Sequence, residues 1–518
     1  MSIQLLKSTA VVGGSTLLSR ILGFIRDMVI AQAFGAGLAA DTFFVAFKIP
    51  NFLRRLFAEG AFSQAFVPVF SSYVVSKDLI ETKTLIDRVT GTLGIVLLFV
   101  TGLGIVGAPL LVIIFAPGFV KDLDQYKLAI KLLQITFPYL FFISLTALAA
   151  GILNTYKRFS VPAITPIFLN ITLIISALWI APTLTTPIIA LAWGVFFAGL
   201  IQLLFQIPFL RQLKFLPKPY FAWKDTGVQK IFTLMLPAII GSSVSQINLL
   251  VDTILASFLT TGSISWLYYG DRLVEFPLGV FGIALSTVIL PTLSEKYSKD
   301  SPRDFSHTLD WALRWACLIS IPAAIGLALL ATPIITTLFY HGEFGKHDVI
   351  MTVYSLIAYC FGLAPFILIK ILASGFYARQ DTKTPMKIGI ISMVSNIILN
   401  IILMFPLAHV GLALATSLSA WLNATLLLIY LKRRSIYIPQ PKWFLLGAQI
   451  TIASSLMAFF ILWKNSSLVD WIQWNLTSRI EHLLILISLA MAIYLISLLL
   501  VGVKPKMLIM NKYNNSYI

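Results

Sequence analysis

Long apolar stretches recur along almost the whole chain, and they constrain its fold more than any other feature. A stretch of about 20 apolar residues is long enough to cross a bilayer as an α-helix. Hydrophobic residues make up 58% of the chain and charged residues only 11%, which leaves too little polar surface for a soluble protein. The sequence therefore predicts an all-α polytopic membrane protein of about fourteen spans. The spans begin near Thr9, Asp41, Thr84, Leu128, Pro162, Pro187, Ile231, Ile264, Phe305, Val349, Pro385, Val410, Phe444 and Leu483.

The two halves of the chain repeat each other at an offset of about 223 residues, which we call the repeat offset. Segments 151–162 and 375–385 share one plan, in which a glycine ends one span, a basic loop follows and a proline opens the next span. The same offset relates Pro68 to Pro291, each near the end of a span. Several matches at one offset indicate a duplicated half-transporter.

The repeat predicts the domain organisation. Six spans per repeat is an even number, so both repeats enter the membrane from the same side and form parallel six-helix lobes. We expect an N-lobe over residues 1–215, a linker over 216–227 and a C-lobe over 228–434. Residues 435–518 then hold two additional C-terminal helices and a tail.

The distribution of cations predicts the orientation in the membrane. With the N-terminus inside, the connections that carry most of the lysines and arginines face the cytoplasm, including those around Lys157, Lys224 and Lys432. This asymmetry follows the positive-inside rule and places both termini in the cytoplasm. The net charge of +17 is therefore mostly topological, and we expect no nucleic-acid partner.

Fixed charges interrupt spans that should be apolar. Each charge at the bilayer centre costs about 2.5–3.5 kcal/mol on insertion scales, so such residues usually line a watery cavity or a ligand pathway. Excess arginine suits planar, bidentate phosphate binding. Intramembrane ion pairs, such as Arg26 with Asp27, are the structural alternative. The charged residues are Arg20, Arg26, Asp27, Asp41, Lys48, Arg54, Arg55, Glu59, Arg272 and Glu275.

A second polar group falls in the later spans. Asn396 and Asn400 lie one helical turn apart, Thr416 is in the next span, and Asp252 is in an earlier one. Hard oxygen ligands of this kind suit Na⁺ better than a transition metal. Interhelical hydrogen bonding explains the same residues equally well. The sequence has no GxxxxGK[ST] loop for nucleotide hydrolysis, and we expect no enzymatic activity.

Several segments resemble the MurJ/MviN family of the multidrug/oligosaccharidyl-lipid/polysaccharide exporter superfamily. The first seventy residues carry the most specific matches, and Tyr268 to Pro277 matches the second-lobe segment of the family. The matching segments are Ser19-Arg20 with Gly23, Arg26-Asp27, residues 34–37, residues 41–51 and residues 54–68.

This resemblance implies transport of lipid II, the undecaprenyl-diphosphate disaccharide-pentapeptide, from the cytoplasmic to the periplasmic leaflet of the bacterial inner membrane. It implies that Arg20, Arg26, Arg54 and Arg272 bind the diphosphate, with Asp27 as the ion-pair partner of Arg26 and Arg272. Asp41, Lys48, Arg55, Glu59 and Glu275 match further charged positions of the family.

The resemblance also implies a groove for the lipid tail on the two additional helices. It places a Na⁺ site on Asp252, Asn396, Asn400 and Thr416, where Asn400 is a weaker ligand than a carboxylate. Membrane lipids and other cell-wall synthesis proteins are the expected partners. Two alternatives stay open: a cation-coupled exporter of drugs or other polyprenyl-linked oligosaccharides, and a membrane scaffold without transport activity.

Overall fold

The computed structural model describes residues 3–503, apart from the side chains of residues 3–10, 57–60, 238 and 240–245. Within that part of the chain the secondary structure is helical and contains no strand. Ten of the described helices are long and apolar enough to cross a membrane. The all-α membrane fold is therefore confirmed, while the total of fourteen spans stays a prediction.

The contacts divide the chain into two compact units. The first unit is Met1–Ser265 with His341–Phe344, and the second unit is Trp266–Tyr340 with Gly345–Ile518. The helices between Ile3 and Ala256 are Ile3–Phe34, Leu38–Leu53, Arg54–Phe62, Ser63–Ser76, Leu79–Val106, Ala108–Phe115, Pro117–Lys121, Leu123–Thr136, Tyr139–Thr155, Ser160–Ile164, Pro166–Ile175, Ser176–Ile180, Ala181–Thr183, Ile189–Gln212 and Thr226–Ala256. The later helices are Ser263–Pro277, Leu278–Gly282, Ile283–Ser298, Pro302–Leu329, Ala331–Phe339, Lys346–Tyr377, Lys383–Arg433, Trp443–Lys464, Leu468–Gln473 and Leu476–Leu500.

The helix boundaries recur at the repeat offset that the sequence predicts. Both ends of Leu79–Val106 are related by this offset to the ends of Pro302–Leu329. Leu123 and Lys346, which start the next long helices, are related in the same way. We call the helices between Ile3 and Gln212 the first repeat and those between Thr226 and Arg433 the second repeat. The predicted lobe boundaries stay a prediction, since the units are defined by contacts and not by topology.

Helix Thr226–Ala256 shows why the units differ from the repeats. Its first residue follows Ile3 by the repeat offset, so it is the second repeat's equivalent of helix Ile3–Phe34. It nevertheless packs within the first unit, against Arg54–Phe62 and Ser63–Ser76. Val228 and Ile231 join the first unit's buried core around Phe66. Burial of its apolar face therefore assigns this helix to the first unit.

A proline disturbs the helix that begins at Leu38. Pro50 lacks an N–H, which removes a hydrogen bond from the helical ladder. The chain stays helical to Leu53, continues as a π-helix over Arg54–Phe62 and returns to an α-helix at Ser63. The disruption at Pro50 thus takes the form of a wider helical segment. The second repeat has the same plan, with Ser263–Pro277, the π-helix Leu278–Gly282 and Ile283–Ser298.

The 51-residue helix Lys383–Arg433 contains two of the predicted spans. Ala408 has φ 49° and ψ −130°, which is far from helical geometry and divides the helix. The division lies between the spans predicted from Pro385 and Val410. A side chain at Gly411 would collide with the backbone of Leu403, so this turn requires a glycine.

The two C-terminal helices pack inside the second unit. Ile450, Met457 and Ile461 of helix Trp443–Lys464 are buried in one cluster with Leu486 of the last helix. The Tyr494 hydroxyl donates a hydrogen bond to the Leu318 carbonyl at 2.7 Å. The two additional helices are therefore a packed part of the second unit.

Candidate functional site

Arg26 is fixed inside the first unit by two neighbours. Its Nε and Nη2 donate to Asp27 Oδ1 at 2.9 and 2.6 Å, and its Nη1 donates to Asn170 Oδ1 at 3.1 Å. Asp27 is completely buried and Asn170 is 6% exposed. The structure thus contains the predicted Arg26–Asp27 ion pair, in surroundings where charge pairs are strong.

Asn170 was missed by the sequence analysis. Its Nδ2 donates to the Ser19 carbonyl at 3.0 Å, so this one amide joins helix Pro166–Ile175 to two places on helix Ile3–Phe34. A lone asparagine inside an apolar span was the available signal, because polar groups within a membrane need partners. Its connection to Arg26 links residues far apart in the chain and is decided by packing.

Arg20 has the opposite environment. It is exposed, and its side chain makes no hydrogen bond or ion pair with the described residues. It lines a cavity of about 460 Å³ between helix Ile3–Phe34 and the segment that follows helix Tyr139–Thr155. Thr16, Ser19 and Asn154 contribute further polar groups to its wall. An accessible guanidinium beside neutral polar groups is chemically suited to an anionic, hydroxyl-rich ligand.

Asp41 stabilises the start of a helix in the other repeat. This carboxylate is 2% exposed, and its Oδ2 accepts the Gly262 N–H at 2.6 Å. Its Oδ1 accepts the Ser265 N–H at 2.8 Å and the Ser265 hydroxyl at 2.6 Å. These N–H groups lie at the first turn of helix Ser263–Pro277, where the helix has no partners for them of its own. Asp41 therefore caps the N-terminus of the helix that carries Arg272 through a tertiary contact.

The π-helix Arg54–Phe62 holds the next group of predicted residues. Arg54 Nε donates to Asn51 Oδ1 at 2.9 Å, which fixes one side of its guanidinium. Arg55 is exposed and Lys48 is half-buried. The side chain of Glu59 lies outside the described residues. A π-helical turn at Arg54 and Arg55 changes the direction in which these two side chains project, and such turns are frequent at functional sites.

Arg272 lies in the second unit. Its Nη1 pairs with Glu275 Oε2 at 2.9 Å, one turn along the same helix. Earlier in this helix, Trp266 Nε1 donates to Asp348 Oδ1 at 3.0 Å, and the Trp266 ring contacts the His409 ring at 4.9 Å between centroids. These contacts fix the helix to its neighbours within the second unit. The predicted pair between Arg272 and Asp27 stays a prediction.

Three of the residues predicted for Na⁺ come together in the second unit. Asn400 Nδ2 donates to Asn396 Oδ1 at 3.0 Å, and Asn396 Nδ2 lies 3.4 Å from Thr416 Oγ1 and from Ser419 Oγ. Asn396 and Asn400 are both completely buried. The fourth predicted residue, Asp252, is half-buried in the first unit. Among the described residues, no group of three or more His, Cys, Asp or Glu is placed to hold a metal ion.

The apolar spans, the internal repeat and the cationic cavity define a polytopic helical membrane transporter. The family model described as Lipid II flippase MurJ matches residues 30–505. The chain belongs to the MurJ family, which consists of transporters and not of enzymes.

Individual relatives agree with this assignment over the whole chain. A probable lipid II flippase MurJ of Vibrio cholerae is 50% identical over 515 residues and covers 98% of both chains. A probable lipid II flippase MurJ of Haemophilus influenzae is 49% identical and covers 94% of this chain and 98% of its own. The family resemblance expected from the sequence is therefore confirmed.

Solved structures give the same answer at the level of the fold. A structure described as lipid II flippase MurJ in an inward closed conformation is 31% identical, with a TM-score of 0.79, and covers 94% of this chain and 97% of its own. An inward-facing MATE family transporter of the MOP superfamily is 13% identical, with a TM-score of 0.66, over 82% of this chain and 98% of its own. The second similarity is one of fold alone.

Proposed function

We propose that this protein moves lipid II across the bacterial inner membrane, from the cytoplasmic to the periplasmic leaflet. The observation that carries the proposal is the accessible Arg20 guanidinium in a cavity of a chain that belongs to the MurJ family. A diphosphate offers the planar pairs of oxygens that a guanidinium binds bidentately. The proposed orientation, with both termini in the cytoplasm, is supported by the asymmetry of cations between the loops.

In the proposed mechanism Arg20 receives the diphosphate first. Its guanidinium needs to break no existing ion pair among the described residues, whereas Arg26 must loosen its bonds to Asp27 and Asn170. Arg54 and Arg272 are proposed to complete the anion site, and Asp41, Lys48, Arg55, Glu59 and Glu275 to set its charge balance. The N-lobe and C-lobe then rock so that the cavity opens alternately to each side.

Re-formation of ion pairs after release favours return of the empty carrier. The Arg26–Asp27 pair and the proposed Asp27–Arg272 pair compete with the diphosphate for the same guanidinium groups. A ligand shifts a two-state equilibrium only through its different affinity for the two states. Competition between carboxylate and diphosphate supplies such a difference. The polyprenyl tail is proposed to stay in the membrane along the two C-terminal helices.

We also propose that Asp252, Asn396, Asn400 and Thr416 hold Na⁺. Asn396 and Asn400 are buried and Asn396 contacts the half-buried Thr416, and their amide and hydroxyl oxygens fit a hard cation. A bound Na⁺ would supply positive charge and link transport to its own gradient. Other cell-wall synthesis proteins are the proposed protein partners.

Complementation of a flippase-depleted bacterium tests the proposed function. Wild type should restore growth and prevent accumulation of lipid II in the inner leaflet. Arg20→Ala should abolish rescue at undiminished expression, because it removes the accessible anion ligand. Arg433→Ala removes an exposed arginine at a helix end and is the matched control, which should behave as wild type. Failure of wild type to rescue would favour a different cargo, and rescue by Arg20→Ala would disprove the anion-binding role of this residue.

A further inference from the structure

We infer that Asn154 is a specificity-determining residue that binds the sugar next to the diphosphate of the transported lipid. The inference rests on the proposed function and concerns the same cavity. Asn154 lies at the end of helix Tyr139–Thr155 and lines the same cavity as Arg20. Asn154 is not one of the charged positions shared with the family, and the cavity that it shares with Arg20 is the observation that points to it.

Asn154 and Thr16 keep hydrogen-bonding capacity for a ligand in the cavity. Asn154 is exposed, and its side chain makes no hydrogen bond within the described residues. Its amide therefore offers two donors and one acceptor to an occupant. The Thr16 hydroxyl donates to the Val12 carbonyl at 2.8 Å and keeps its oxygen as an acceptor.

These groups suit a sugar better than a second phosphate. One guanidinium is available for the anion, while Thr16, Ser19 and Asn154 are neutral and match hydroxyl and acetamido groups. Phe159 and Pro162 provide an apolar wall on which the C–H face of a pyranose ring can pack. The cavity of about 460 Å³ falls in the range of small-molecule sites and is large enough for a diphosphate with an adjoining sugar.

The neighbouring loop attracts the anionic part of the same ligand. Lys157 and Arg158 lie between the lining residues Asn154 and Phe159, and both are exposed. Such cations raise the local concentration of an anion without selecting what is attached to it. Selection then requires the neutral groups. The second repeat has Tyr377 at the position equivalent to Asn154, so an amide is not a requirement of this repeated helix end.

Binding to purified protein in nanodiscs tests the inference. The probes are polyprenyl diphosphate and polyprenyl diphosphate carrying one N-acetylhexosamine, which isolates the sugar from the peptide. Loss of the amide's hydrogen bonds should make Asn154→Ala bind the sugar-bearing probe about tenfold more weakly. Its affinity for the sugarless probe should stay within about twofold of wild type. Arg20→Ala should weaken both probes together.

Control variants separate the possible failures. Asn423→Ala, which removes a half-buried asparagine from the second unit, should leave both affinities unchanged. Equal weakening of both probes by Asn154→Ala, or no weakening of either, would overturn the inference while leaving the proposed function intact. Wild type that binds neither probe would overturn the proposed function itself. Unchanged thermal unfolding of Asn154→Ala establishes that the variant is folded.

Discussion

In each repeat, an aspartate at the equivalent position binds the segment that follows the last helix, but the two aspartates differ in burial. Asp87 and Asp310 are related by the repeat offset and lie on helices with the same relative bounds. Asp87 Oδ1 accepts the Lys218 N–H at 2.7 Å and pairs with Lys83. Its side chain is 19% exposed. The first repeat thus holds its following segment with a carboxylate that water still reaches.

Asp310 makes the same type of contact in a closed environment. Its Oδ1 accepts the Tyr437 hydroxyl at 2.7 Å, Trp443 Nε1 at 2.7 Å and the Gln440 N–H at 3.1 Å. Arg314 Nε donates to its Oδ2 at 2.6 Å, and the side chain of Asp310 is 3% exposed. Trp443 begins the first of the two additional helices. The difference indicates that the aspartate is buried in the repeat where it also binds the first of the two additional helices.

The largest predicted effect comes from removing the buried Asp310 carboxylate. Asp310→Ala leaves Arg314 without its carboxylate and three donors without their acceptor, which should cost about 3–5 kcal/mol of unfolding free energy. Asp87→Ala should cost about 1 kcal/mol, because water replaces the lost contacts. Thermal unfolding in detergent measures both variants. A similar fall in Tm for the two variants would show that burial does not determine how much each aspartate stabilises the protein.

A second comparison concerns the helices that begin at Leu38 and Ser263. The first follows Gly37 without a side-chain cap, whereas the second receives Asp41 from the first repeat. Asp41→Ala should therefore lower the unfolding free energy by about 2 kcal/mol and speed amide exchange over residues 262–266.

Ser265→Ala is the matched control for the cap. It removes the hydroxyl that lies 2.6 Å from Asp41 but keeps both backbone donors, and it should cost about 1 kcal/mol. Unchanged exchange over residues 262–266 in Asp41→Ala would argue against a capping role.

The smallest predicted effect concerns an ion pair that one repeat lacks. Asp381 pairs with Arg434 at 2.8 Å, while the equivalent positions of the first repeat are Arg158 and Arg211, both exposed. Arg158→Asp should create an equivalent pair in the first repeat and raise the unfolding free energy by about 0.5 kcal/mol. High salt should remove the gain, since exposed pairs are screened. A gain that survives high salt would require another explanation.

The existing pair should respond to acid. Burial by itself raises the pKa of the Asp381 carboxyl, but hydrogen bonds from Thr384 and the ion pair with Arg434 outweigh it and leave the pKa below its ordinary value. The stabilisation is therefore complete above the ordinary aspartate pKa of about 4 and is lost as pH falls through the lower folded-state pKa. Below about pH 4, the Tm of wild type should approach that of Asp381→Asn. A difference in Tm between wild type and Asp381→Asn that does not change with pH would contradict a stabilising role of the ionised Asp381.

Much of the candidate site could be predicted because charge inside an apolar span is conspicuous. Arg20, Arg26 and Asp27 stand out against their neighbours, and the structure contains the ion pair expected between Arg26 and Asp27. Asn170 and Asn154 could not be recognised as site residues in this way, since an amide in a span can hydrogen-bond to its own helix, to a ligand or to a neighbouring helix equally well. The tertiary structure distinguishes them, because Asn170 contacts Arg26 and Asn154 lines the cavity.

The sequence by itself determined the class of this protein, its helical spans and its repeat, because apolar length and periodicity are properties of the chain. The tertiary structure decided which groups meet. It brings Asp41 to Ser265 and Asp310 to Trp443, and it packs helix Thr226–Ala256 into the first unit. The physical reason is that buried polar groups must find partners in space, and their sequence separation does not enter that requirement.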